Sequence, residues 1–131
     1  MMERHITVRQ AIERFKNVSK RGDAYLNSVL IGWLHELDGK AMNDVVRAYQ
    51  SDDELWEYTG TEKDMDKQLL IGEPYTGAYV NWLMYKTDMH NGDAVQANNS
   101  LSMFADDYSG WQKQYNRTHD AKVTRMKNVW R

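Results

Sequence analysis

GEPYTGAYVNWLMYKTDMHNGDAVQANNSLSMFADDYSGWQKQY, residues 72–115, decides the fold. Asp93 stands where a helix cap is wanted, and after it Ala97, Leu101, Phe104, Tyr108, Trp111 and Tyr115 recur at spacings of 4, 3, 4, 3 and 4. That period places all six on one face of a helix. Before it, Tyr75, Tyr79, Trp82, Lys86 and Met89 follow the same rhythm, with Leu83 beside them, and Asn91-Gly92 supplies a stop because both tolerate the left-handed conformation. Pro74, the only proline, is expected at the first helical position, where a missing N–H does no harm. Two helices joined by so short a turn must run antiparallel, which predicts a hairpin with aromatic rings along its seam.

Working outward, Thr7 is expected to cap a short helix to about Phe15, with Val8, Ile12 and Phe15 on one side. Residues 17–22 break it, and Asp23 caps a longer helix in which Leu26, Leu30, Trp33 and Leu37 form the stripe, widened by Val29 and Leu34. Asp38-Gly39 is a turn signal, yet Val45, Val46 and Tyr49 resume the period, so one helix to about Tyr49 is expected. A glycine inside a helix costs roughly 1 kcal/mol relative to alanine, which a packed stripe offsets. Residues 51–68 show no helical period and read as a long acidic connection with few apolar anchors, mobile until a neighbour orders it. The chain is expected to fray after about Thr118, with Val123, Met126 and Val129 as a further apolar face. The fold class is all-α: a single-domain small helical bundle with a long second helix, an antiparallel hairpin, an acidic loop at 51–67 and a basic tail at 120–131.

Composition narrows the function classes. There are no cysteines, hence no disulfides, thiol catalysis or Cys-ligated metal. Mean hydropathy is −0.80 and no apolar run reaches the ~18 residues of a membrane span, so no membrane is expected as partner. Net charge is only −2, but Lys/Arg against Asp/Glu number 8 and 6 in residues 1–50, 3 and 12 in 51–110, and 6 and 1 in 111–131, which gives +2, −9 and +5. Opposite patches of neighbouring copies can meet on such a polarised chain.

No chemistry-bearing motif emerges. His5, His35, His90 and His119 are far apart, and Gly39 stands where a zinc helix beginning His35-Glu36 needs its second histidine. No phosphate-cradling glycine loop is present. The acid groups Asp52-Asp53-Glu54, Asp64/Asp66 and Asp106/Asp107 lack a recognisable buried setting that would raise a carboxyl toward neutrality, so they read as solvated surface. No catalytic residue, cofactor or metal is expected. Trp56, Tyr58 and Trp130 lie outside the periodic helices and are expected to serve outside the core, since Tyr and Trp are favoured at interfaces.

Several words of this sequence, in order, resemble those of a family of small helical proteins from the structural gene clusters of tailed bacteriophages, the head-tail connector or neck proteins. They are Thr7-Val8-Arg9-Gln10, Trp33-Leu34-His35-Glu36-Leu37-Asp38-Gly39-Lys40, Leu69-Leu70-Ile71-Gly72-Glu73-Pro74-Tyr75, Tyr79-Val80-Asn81-Trp82-Leu83, Asn98-Asn99-Ser100 with Phe104, and Tyr115-Asn116-Arg117-Thr118-His119. Glu73 departs from the small residue usual before the proline, and the tail after His119 is longer and more basic than the family pattern. The resemblance covers most of residues 7–119 and implies a virion protein that multimerises as a ring below the portal, contacts portal and tail-completion proteins, and joins the DNA-filled head to the tail. Contacts to a neighbour then fall on Asp52, Asp53, Glu54, Trp56 and Tyr58 of the acidic loop and on Arg117, Lys122, Arg125, Lys127 and Arg131 of the basic terminus, with DNA in the channel as a further non-specific contact of that terminus. Two rival readings are a small nucleic-acid-binding regulator and a hydrolase built on an acid pair.

Overall fold

The computed structural model describes residues 4–19 and 25–122. Four helices follow one another: α1 (Val8–Ser19), α2 (Asn27–Asp44), α3 (Gly77–His90) and α4 (Ala94–Thr118). The protein is all-α, a small helical bundle in which α3 and α4 make the most extensive pairing and α1 and α2 pack across α3. Among the described residues the only extended pairings are two isolated antiparallel bridges, Thr7 with Gln68 and Tyr49 with Ala121.

α1 begins as its sequence requires. The Thr7 hydroxyl accepts from the Gln10 N–H at 3.2 Å while the Gln10 side chain accepts from the Thr7 N–H at 2.9 Å, a reciprocal cap that satisfies two otherwise orphaned donors. Val8, Ala11, Ile12 and Phe15 are buried. The helix runs on past Phe15 to Ser19.

α2 differs from its expected register. Its buried face is Leu30, Ile31, Leu34, Leu37, Asp38, Ala41 and Met42, while Leu26 is exposed at the N-cap position, Val29 is exposed and Trp33 half-buried. Including Ile31 and Ala41 turns the stripe away from Val29, and Leu26 precedes the packed turns. The expected cap, Asp23, lies outside the described residues. Gly39 sits inside the helix. The helix ends at Asp44 rather than near Tyr49: a 3-10 turn, Val46–Ala48, leads into extended backbone at Tyr49. There the returning chain competes successfully, with Gln50 N–H donating to Asp120 O at 2.7 Å and Lys122 N–H to Ala48 O at 3.0 Å. Residues 119–122 are thus paired to the body where fraying was expected.

Pro74 does not open α3. Glu73-Pro74 is a cis peptide within a turn, Tyr75 N–H donates to Gly72 O at 3.0 Å, and the helix starts three residues later, at Gly77. Proline suits a turn as well as a first helical position, so its presence alone did not separate the two. Two glycines let the hairpin close. A Cβ on Gly77 would lie 2.9 Å from the Asp107 carboxylate, and one on Gly110 would lie 2.5 Å from the Tyr75 ring. The turn between the helices follows the sequence: Gly92 has φ +78°, and the Asp93 carboxylate accepts from the Gln96 N–H at 3.1 Å.

α4 buries Ala97, Ser100, Phe104, Tyr108, Trp111 and Tyr115. Leu101 is more than a third exposed, contrary to its place in the expected stripe. Ser100 takes the inward position, where its hydroxyl donates at 3.3 Å to the carboxylate of Asp88, buried near the end of α3. On α3, Tyr79, Trp82 and Leu83 are buried as expected, whereas Met89 is exposed and Lys86 half-buried. Lys86 instead pairs with Glu36 at 2.6 Å and reaches over the Trp82 ring. Ring centroids step along the seam from Trp82 to Phe104 (5.1 Å), Tyr108 (5.2 Å), Trp111 (5.7 Å), Tyr115 (5.4 Å) and His119 (3.8 Å). No helix among the described residues is long and apolar enough to cross a membrane.

Candidate functional site

The acidic segment 51–68 is the part of the molecule not explained by helix periodicity, and a single buried carboxylate organises it. Asp38, fully enclosed on α2, accepts three hydrogen bonds: from the Trp56 indole N–H at 2.8 Å, the Leu70 backbone N–H at 3.0 Å and the Tyr79 hydroxyl at 2.5 Å. The Tyr79 oxygen in turn accepts from the Ile71 N–H at 2.7 Å. The loop, the segment leading to α3 and α3 itself therefore converge on one side chain. Burial pushes the Asp38 carboxyl up to about 6, against the opposing pull of the Tyr79, Trp56 and Leu70 donors. Tyr79 is pushed well above its ordinary value by burial and by the neighbouring Asp38.

Two imidazoles bind the same region from outside. His35 Nε2 lies 3.1 Å from the Trp56 carbonyl oxygen, its ring edge-on to Trp56 and beside Tyr58. His5 Nδ1 lies 2.9 Å from Leu69 O. Backbone bonds from Val8 N–H to Lys67 O (3.0 Å) and Leu69 N–H to Ile6 O (2.9 Å) fasten the end of the loop to the N-terminal segment.

Inside the loop a second carboxylate fixes its far turn. Asp64 is buried and accepts from the Thr59 N–H and hydroxyl and from the Gly60 N–H at 2.7 Å, where Gly60 has φ +75°. Burial raises the Asp64 carboxyl, but these donors outweigh it and hold the group below the usual carboxylate range. A short 3-10 helix, Glu62–Asp66, follows, and its Met65 is buried. Asp53 is tied to the hairpin by the Tyr115 hydroxyl at 3.0 Å.

These contacts correct the expectation of a loop short of anchors, since it docks on its own chain through Trp56, Asp64 and Met65. They also divide the expected contact residues. Trp56 is buried at 8% exposure, because its N–H is needed by Asp38; it is not an outward interface ring. Asp53 is half-buried and engaged by Tyr115. Asp52, Glu54 and Tyr58 remain exposed, with Glu57 between them. Asp52, Asp53 and Glu54 share with His5, Gln68, Leu69 and Leu70 a shallow recess of about 190 Å³. Arg117 and Lys122 are exposed at the end of α4, where residues 120–122 pair with the residues that open the acidic loop. Arg125, Lys127, Arg131 and Trp130 lie outside the described residues.

The Asp64/Asp66 pair separates in space. Asp64 is internal while Asp66 meets Arg9 at 3.6 Å on the surface, and Asp107 faces Gly77 and Asn81. Burial raises the Asp107 carboxyl. Among the described residues no three His, Asp or Glu side chains are grouped so as to hold a metal ion. The carboxylate raised to about 6 is sealed from solvent and engaged by three donors from the protein itself.

Asp38 is the residue that sequence reasoning passed over. The signal was present: Leu30, Leu34 and Asp38 stand four apart, which places an acid on the apolar stripe. The adjacent glycine drew it into a turn reading instead. In comparisons, no family model, no curated protein and no solved structure matches this chain.

Proposed function

We propose that this chain is a structural subunit of the head-tail junction of a tailed bacteriophage, a connector or neck protein that assembles as a ring below the portal. In the virion it would contact portal and tail-completion proteins and join the packaged head to the tail. The observation that carries the reading is what the family-like words do in this molecule. Thr7 caps α1 and pairs with Gln68; His35 and Asp38 tie down the acidic loop; Tyr115 bonds Asp53 and stacks on His119. The residues that carry the resemblance thus act on architecture, as a protein whose work is shape and contact requires. Asp52, Glu54 and Tyr58 then project from a fixed base toward a neighbour, and Arg117 and Lys122 offer the opposite charge at the foot of the same loop.

A ring needs a heterologous contact, in which two different surfaces meet and the rotation closes. Sedimentation at low salt and at ~1 M salt, where the screening length shrinks to about 3 Å, tests it together with electron microscopy of the chain alone and mixed with a portal ring. Closed rings, or saturable portal binding weakened by Asp52→Lys with Glu54→Lys, are expected. Monomers under every condition with no portal binding overturn the reading. A duplex affinity with sequence preference and a steep salt dependence would favour the regulator instead.

A further inference from the structure

Asp38 is a buried carboxylate that forms no ion pair among the described residues, an arrangement a fold tolerates only when donors surround the charge. Two of the three donors lie outside the helices, Trp56 in the loop and Leu70 just beyond it, while the third, Tyr79 on α3, is bonded to Ile71. Undocking the loop would return Asp38 to water, whereas docking strips its hydration and leaves three donors in exchange. We propose that the Asp38 cluster is a proton-linked latch: the docked loop takes up a proton that the undocked loop releases, so the loop is held more tightly in mildly acid than in neutral solution. The proton falls on Oδ1, which has one donor where Oδ2 has two, and the bond from the Tyr79 hydroxyl there favours the anion.

The sign follows from linkage. A carboxyl whose affinity for protons is higher in the docked state favours docking as pH falls through its docked value, and the advantage is lost as pH rises through it. The groups facing Asp38 are Tyr79 from α3, Tyr108 from α4 and His5 from the N-terminal segment, with His35 on α2 bonded to the Trp56 carbonyl and Asp52, Asp53 and Glu54 in the recess beside Leu70. Burial pushes both tyrosines above their ordinary value, which keeps them neutral throughout the range. The two imidazoles, His5 and His35, are controlled for directly by substitution. This inference is independent of the assembly reading, because its test needs only the isolated chain.

The test is hydrogen exchange of the Leu70 amide and of residues 52–67 across pH, corrected for the intrinsic chemical rate, with α4 amides as internal reference. Their protection is expected to rise about tenfold from about pH 7.5 to about pH 5, given a docked value of about 6. In Asp38→Asn the dependence is expected to vanish, while His5→Gln and His35→Gln keep it. Protection that is flat in the parent, or a slope that survives in Asp38→Asn, overturns the latch. Should Asp38→Asn not fold, Tyr79→Phe decides: it removes a bond that favours the anion, so the midpoint must move to higher pH, and an unchanged or lower midpoint overturns the proposal.

Discussion

The α3–α4 hairpin and the Asp38 junction hold the same molecule together by opposite means. The hairpin is a seam of ring contacts, mostly tilted, so its stability comes from buried area and it tolerates small losses gradually. The junction has one charge and three donors, and each loss strands a buried polar group. Apolar packing is non-directional, whereas a buried hydrogen-bond cluster is satisfied or it is not. A fold can be pinned at one point by chemistry while its bulk is held by contact.

The largest expected effect breaks the hairpin. Trp111→Ala, at a position with no exposure, should cost about 3–5 kcal/mol in denaturant unfolding. Trp111→Phe should cost much less, because the indole N–H meets no acceptor among the described residues and nothing polar is stranded by its removal. Equal losses for the two would mean that the seam is not held by ring area.

Next comes pH. Between about 4 and 6 the folded chain binds a proton at Asp38 that the unfolded chain has released, so acidification through this window should add up to about 3 kcal/mol from this group. Asp44, lowered first by its bond from Lys40 at 2.9 Å, and Asp64, lowered by its donors despite burial, act the other way. Their stabilisation is present above the ordinary carboxylate range and is lost as pH falls through their depressed folded values. Stability should therefore pass through a maximum in mild acid, and Asp38→Asn should remove its alkaline flank. A parent profile that rises monotonically to neutrality would contradict the assignment.

Tyr79→Phe probes the junction without changing its volume. It leaves the Ile71 N–H without its acceptor and Asp38 without one donor, and should cost about 1–3 kcal/mol in the same unfolding experiment. Gly110→Ala should destabilise by a similar amount, about 1–3 kcal/mol, through contact with Tyr75 rather than loss of a bond. The smallest effect is expected at Leu101→Ala, within about 0.5–1 kcal/mol, since that side chain faces outward. A cost there as large as at Trp111 would show that the expected stripe, with Leu101 inside, was right after all.

The two regions were not equally legible in the sequence. The hairpin could be read because its determinants are local: a period along α4, the Asp93 cap and the Gly92 stop lie within a few residues of the places they act. Its errors were local too, at Leu101 and Met89 on the two stripes and by three residues at Pro74. The end of α2 was misplaced because residues 120–122, far along the chain, capture residues 48–50. The loop was read as unanchored because its anchors are single residues with distant partners. Trp56, within an acidic stretch, shows no period, and only the position of Asp38 on an apolar stripe hinted at what Trp56 would meet.

The bonds at Asp38 join residues 18, 32 and 41 apart in the chain, while α3 and α4 meet across a tight turn. Closing long loops costs entropy that no contact repays until closure is complete, so the hairpin is the natural nucleus and the junction the last part to set. In kinetic terms Tyr79→Phe should quicken unfolding and leave the folding rate alone, whereas Trp111→Ala should slow folding. The buried carboxylate then governs how long the native molecule lasts, not how fast it is made.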